Sequence, residues 1–154
     1  SEVWGEKKDG GGGVPNLSHN KELQKMNLVT SKNHGNETLK KLIQEINFNE
    51  VKVMGSIGCK IASIVRGEND IYICLSLPGK SSPKDWDFAA PEAILKASGG
   101  AITNLENVEL SYGNLNFEQR GIIVASNNSN NHERICSEIK EIIEKCQLYY
   151  SELN

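Results

Sequence analysis

Three stretches of this chain carry apolar residues at the 3.6-residue spacing of a helix, and short apolar runs separate them. Leu39, Leu42, Ile43 and Ile46 form one stripe, and Ile57, Ile61, Ile64 and Val65 a second. Ile135, Ile139, Ile142, Ile143 and Cys146 form the last. A helix with one apolar stripe has to bury it against something. Runs such as Ile122-Ile123-Val124-Ala125 are apolar on both sides and so ask to be covered on both. Alternation of the two types predicts an α/β fold: a three-layer α/β/α domain around a mostly parallel, roughly five-stranded sheet. A chain of 154 residues is long enough for one such domain spanning 1–154.

Local signals place the elements. Strands are predicted at Asn27 to Thr30, Val51 to Met54, Asp70 to Leu75, Ala101 to Asn104 and Gly121 to Ser126, with a short extension at Glu109 to Ser111. Asn36 is the expected cap of a helix through Ile46, and a second helix runs from about Ile57 to Arg66, closed by Gly67. A polar loop, Ser76 to Asp85, precedes a third, and the last starts near Asn131. Residues 5–26 include four consecutive glycines, Gly10 to Gly13, and read as a flexible Gly-rich and polar loop region. No Gly-Lys-Ser/Thr follows those glycines, so they do not form a phosphate-cradling loop. Ser1 to Glu6 opens without Met and reads as the middle of a strand, which predicts a fragment or a cleaved product.

A net charge of −3 argues against nucleic acid as a partner but allows one small anion in a local basic pocket. No apolar run approaches the ~18 residues of a membrane span, and no signal peptide is evident. Cys59, Cys74, Cys136 and Cys146 are scattered, with no C-x-x-C spacing. They are expected to be reduced, mostly buried thiols of an intracellular, cytoplasmic protein. Three Asn-x-Ser/Thr sequons, at Asn16, Asn36 and Asn127, fit chance in an Asn-rich chain.

In open α/β sheets, ligands bind beyond the carboxyl ends of strands, where helix N-termini point. Ser31 to His34 follows the first strand, and Gly55-Ser56-Ile57-Gly58 with Lys60 follows the second. Backbone N–H groups, Lys60, His34 and Ser31 together suit one phosphate group. The third junction is Lys84 to Gly100, where Asp87 opens an alanine-rich helix that ends at Gly99-Gly100. Asp87 reads either as the helix N-cap or as a ligand. Pro91 is expected close enough to the helix start to be tolerated. Spacing offers no nucleophile–base pair and no second metal ligand beside Asp87.

Trp86-Asp87-x-Ala89-Ala90, followed by Ile94-Leu95-x-Ala97-x-Gly99-Gly100, resembles the second signature of the inositol monophosphatase superfamily of magnesium-dependent, lithium-sensitive phosphatases. Gly55 to Ile61, then Val65-x-Gly67-x-x-Asp70-x-Tyr72, is similar to the segment preceding it. Pro78-Gly79, Lys60 and the Ser31-x-x-His34 loop look most like the 3′(2′),5′-bisphosphate nucleotidase branch. Inositol-specific members tend to carry a Glu shortly before the Trp, where this chain has Lys80. The resemblance covers a C-terminal half. The family's metal-binding Glu and Asp-Pro-x-Asp-Gly-Thr motif are not in the sequence. It implies that Asp87 is a metal ligand and that Ser31, His34, Gly55, Ser56 and Lys60 hold a nucleotide bisphosphate. In a complete enzyme two or three Mg²⁺ ions would serve hydrolysis, though this fragment alone is expected to bind them poorly and to be inactive. A missing N-terminal half, or self-association through the face it would cover, is the expected partner.

Overall fold

The computed structural model describes residues 5–6, 12–13, 15–32, 36–77 and 82–148, the first two pairs by backbone alone. Five strands make the main sheet: β3 (Asn27–Ser31), β4 (Glu50–Met54), β5 (Ile71–Ser76), β6 (Ala101–Asn104) and β7 (Gly121–Ser126), in the order β4-β3-β5-β7-β6. A small antiparallel pair, β1 (Gly5–Glu6) and β2 (Gly12–Gly13), stands apart. β4, β3 and β5 are parallel, while β7 runs antiparallel to both β5 and β6. The sheet is therefore mixed, with β7 alone reversed. β6 and β7 are joined without an α-helix, which is what allows an antiparallel pair there.

Helices α1 (Glu37–Ile46), α2 (Ile57–Val65), α3 (Asp85–Ala97) and α4 (Ser129–Lys145) complete the sandwich. Alternation along the strands sorts the core into two layers. Leu28, Ile71, Ile73, Ile122 and Val124 face α1 and α4, meeting Leu39, Leu42, Ile46, Ile135, Ile139 and Ile143. Val29, Tyr72, Ile102, Ile123 and Ala125 face α2 and α3, meeting Ile61, Ile64, Val65, Phe88 and Leu95. The three predicted stripes pack on the sheet, with Ile43, Ile57, Ile142 and Cys146 partly buried, and α3 adds Phe88 and Leu95. Among the described residues no helix is long and apolar enough to cross a membrane.

Three expectations are corrected. Within 5–26, the stretch from Pro15 onward is tied down: Leu23 and Met26 are buried around a short 3₁₀ turn (Leu23–Lys25), and Asn16 N–H donates to the Val65 carbonyl. Buried Asp70 gathers this segment by accepting from Ser18 and Asn20 side chains and from the Asn27 N–H at 2.7 Å. Gly67 makes the close approach possible, because at its φ of +72° a Cβ would run into the Asn16 carbonyl. The Glu109 to Ser111 extension is only an isolated bridge from Glu109 to Thr103. All four cysteines are free as expected, but only Cys136 is buried and Cys59 is exposed.

One buried histidine sits on the α4 side. His132 bridges Ser126 Oγ (2.6 Å from Nδ1) and Thr103 Oγ1 (2.8 Å from Nε2). Thr103 already donates to the Asn104 carbonyl, so its oxygen accepts from Nε2–H and Nδ1 accepts from Ser126. Burial of the neutral ring pushes its pKa down to about 4, against ~6.5 for an exposed imidazole. The folded state then binds fewer protons than the unfolded one, so this contribution is complete above pH ~6.5 and is lost as pH falls towards 4. Urea titrations from pH 7 to 4 should show wild type losing about 3 kcal/mol relative to His132→Gln across that window.

Candidate functional site

Topology marks where the sheet opens. After β3 the chain crosses to the α1 face, whereas after neighbouring β5 it reaches α3 on the opposite face. Adjacent strands whose connections leave on opposite sides create a crevice at their carboxyl ends. Ser31 ends β3, level with Met54 at the end of β4, and β5 carries Tyr72 and Cys74 on the α2/α3 face. The expected Ser31 and Gly55-to-Lys60 segments therefore meet at one edge. His34 and Lys80 lie outside the described residues.

Helix α2 is capped by Ser56, whose Oγ accepts from the Cys59 N–H at 3.1 Å. Lys60 N–H bonds the Ser56 carbonyl, so the N–H groups of Ile57 and Gly58 are left by the helix itself and face the crevice end. Gly55 and Gly58 are exposed, and a Cβ at Gly55 would meet nothing within 4 Å. This is open surface against a positive helix end.

Lys60 is not the helix-surface lysine that spacing permits. It is 1 % exposed, with Nζ 2.6 Å from the Gly55 carbonyl and 5.2 Å from the centre of the Tyr72 ring. Among the described residues no carboxylate pairs with it. Burial lowers its pKa below the ordinary lysine value, partly opposed by the nearby Cys74 and Cys59 thiols. Tyr72, 2 % exposed, is pushed well above its usual range by burial first and by Cys74 next, with a Ser31 hydrogen bond opposing. Cys74 is likewise raised by burial, against the pull of Tyr72 and Lys60. The sequence assigns Tyr72 and Cys74 no site role because they sit inside an Ile-rich strand. Their signal is phase: both share the face of Val29, at the end where ligands bind.

Asp87 is half-buried and is not the N-cap. The cap is Lys84, and Asp87 is the third helical residue, whose Oδ2 accepts the Lys84 N–H at 2.8 Å. A lysine has no side-chain acceptor, so this reach-back bond does the capping. Pro91 lies well inside α3 and cannot donate to the Asp87 carbonyl four residues earlier. Asp87 lies close enough for its charge to act on Tyr72, which brings it to the same edge. Beside it Trp86 is 65 % exposed, its ring 6.0 Å from that of half-exposed Phe117, and Leu115 is 84 % exposed. The 105–120 connection is strapped to α3 by buried Asp85, which accepts from Gly113 N–H and Gln119 Nε2, both at 2.7 Å. Glu92 adds bonds to Tyr112 and Lys96. A separate 330 Å³ pocket borders Leu110, Leu115, Ile123 and Arg120 and touches none of the expected site residues.

As a metal site this arrangement is incomplete. Mg²⁺ takes about six oxygens in near-octahedral array. Among the described residues no group of three His, Cys, Asp or Glu could hold an ion, and Asp87 has only Oδ1 left without a hydrogen bond to them.

The inositol monophosphatase family model matches residues 3–144, nearly the whole chain. The chain belongs to that family. It is 30% identical over 118 residues to mouse 3′(2′),5′-bisphosphate nucleotidase 1, which covers 75% of the chain and 36% of the mouse protein. Zebrafish inositol monophosphatase 3 is 27% identical over 131 residues, covering 80% of the chain and 36% of that protein. The solved structure of inositol monophosphate-bound SaIMPase-II, a staphylococcal protein, shares the fold at a TM-score of 0.64 and 19% identity, covering 88% of the chain and 49% of its own. The chain thus spans about a third of these curated relatives and half of the solved one.

The Asp87 bond makes a separable structural prediction. Asp87→Ala is expected to lose about 1 kcal/mol of unfolding free energy, because the Lys84 N–H loses its acceptor. Asp87→Asn retains an acceptor and should stay within about 0.5 kcal/mol of wild type in urea unfolding.

Proposed function

We propose that this chain is the C-terminal, substrate-binding half of a Mg²⁺-dependent phosphomonoesterase acting on 3′-phosphoadenosine 5′-phosphate. The observation that carries this reading is the Lys60 ammonium, buried with no carboxylate partner among the described residues. Burying a charge without a counter-charge costs several kcal/mol, so a fold that keeps one gains something from it. An anion delivered to the crevice supplies the missing charge. The free N–H groups at the start of α2 add donors in the direction that a phosphate needs.

In this reading Lys60, the Gly55-Ser56 segment, Ser31 and His34 hold phosphate oxygens of the substrate. The reaction adds a water oxygen to phosphorus and breaks the ester P–O bond, and the departing ribose oxygen takes a proton, giving AMP and inorganic phosphate. Mg²⁺, when bound, would polarise the phosphoryl group. Asp87 supplies one carboxylate for it, and the other ligands come from outside the described residues. Exposed Trp86, Phe117 and Leu115 beside Asp87 support a surface that another part of the protein covers. Relatives named bisphosphate nucleotidase favour the nucleotide substrate. SaIMPase-II has been solved with inositol monophosphate and with 2′AMP bound, which keeps inositol esters as the second reading.

Phosphate release with Mg²⁺ tests the substrate, using the full encoded protein that contains this chain. Faster turnover of 3′-phosphoadenosine 5′-phosphate than of inositol 1-phosphate is expected, and the reverse order overturns the nucleotide reading. No release from either ester would leave an anion-binding module and sink the enzymatic reading. Lys60→Met should abolish release while leaving unfolding free energy unchanged or raised by about 1 kcal/mol, since it removes a buried charge that no carboxylate among the described residues balances. A loss of several kcal/mol would instead make Lys60 a structural residue.

The 154-residue chain by itself is expected to self-associate through the Trp86–Phe117 surface. Sedimentation velocity should show a concentration-dependent dimer that Trp86→Ser with Phe117→Ser reduces. A strict monomer at high concentration contradicts this.

A further inference from the structure

One aromatic side chain to which the motif assigns no role stands behind Lys60. Tyr72 stands on central strand β5, its Cα paired with Val29 on β3, and its ring lies under the Lys60 ammonium at 5.2 Å. The ring belongs to the apolar layer of Val29 and Ile61, with Cys74 packed against the same layer. Among the described residues the Gly55 carbonyl and the face of this ring hold the Lys60 ammonium. A lysine side chain has four rotatable bonds, and a ring face is what confines it to one place.

We infer that Tyr72 is the positioning residue of the anion site. Its ring holds the Lys60 ammonium at the mouth of α2, and it acts on a ligand through that ammonium. Loss of the hydroxyl alone leaves the ring in place and Lys60 seated. Loss of the ring releases Lys60 and opens a cavity in the layer between the sheet and α2. The inference rests on the anion-site reading above and adds to it the part that fixes the geometry.

The test is a titration of the ¹⁵N-labelled 154-residue chain with inorganic phosphate, followed at the Gly55-to-Lys60 amides, alongside thermal unfolding. Wild type is expected to bind weakly, in the millimolar range, with shifts confined to that segment. Lys60→Met should abolish them. Tyr72→Phe keeps the ring and should bind within about twofold of wild type. Tyr72→Leu should weaken binding about tenfold and also lower the melting temperature. A merely structural tyrosine would move only the melting temperature. If wild type binds, Lys60→Met does not, and Tyr72→Leu binds as wild type does, the positioning role is overturned while the anion site stands. If wild type shows no shifts at that segment, or only the diffuse shifts of an adventitious ion, the anion site fails and this inference with it.

Discussion

A parallel strand buried on both faces has to be followed by a helix, and the face each helix takes decides where the sheet opens. Here that constraint acts between β3 and β5. Their chains leave for opposite faces, which places a crevice beyond their carboxyl ends. The two apolar layers depend on the same division. Leu28, Ile71 and Ile73 require α1 and α4, whereas Val29 and Ile102 require α2 and α3. Packing the core and opening the crevice are one event.

What stands at the opening is chemically polarised. The N-terminal end of α2 points there with its free N–H groups, and the Lys60 ammonium lies buried behind them. Burial depresses the lysine's pKa, yet no carboxylate among the described residues relieves it. Asp87 reaches the same edge from α3 with one oxygen committed to Lys84 and one left. A positive half and a single carboxylate suit a ligand that is itself an anion and a cation that needs further oxygens.

The three helical stripes and the buried run of β7 were legible because periodicity reports burial directly. Asn36 was legible as a cap because its side chain has an acceptor, and it takes the Thr38 and Leu39 N–H groups. The reversed β7 was less so, although the lack of helical period between Asn104 and Gly121 contained it. Asp87 looked like an N-cap because a carboxylate at a helix start usually is one. Bonding back to Lys84 moves the start of α3 two residues earlier than Asp87 and leaves Pro91 in its interior. Lys60 was placed by motif but not by environment. Its burial comes from Tyr72, a residue of another element, and no local pattern carries that. The 15–26 segment looked loose because its anchors, Asp70 and Gly67, lie some fifty residues away in sequence.

The central claim is that the β3/β5 crevice is an anion site built on Lys60. A crystal of the chain grown with tungstate, a heavy phosphate mimic, tests it by anomalous scattering. The account expects a peak within hydrogen-bonding distance of Lys60 Nζ and of the first N–H groups of α2. That peak should vanish in Lys60→Met crystals. A Lys60 ammonium paired to a protein carboxylate, with tungstate bound elsewhere or not at all, would contradict it.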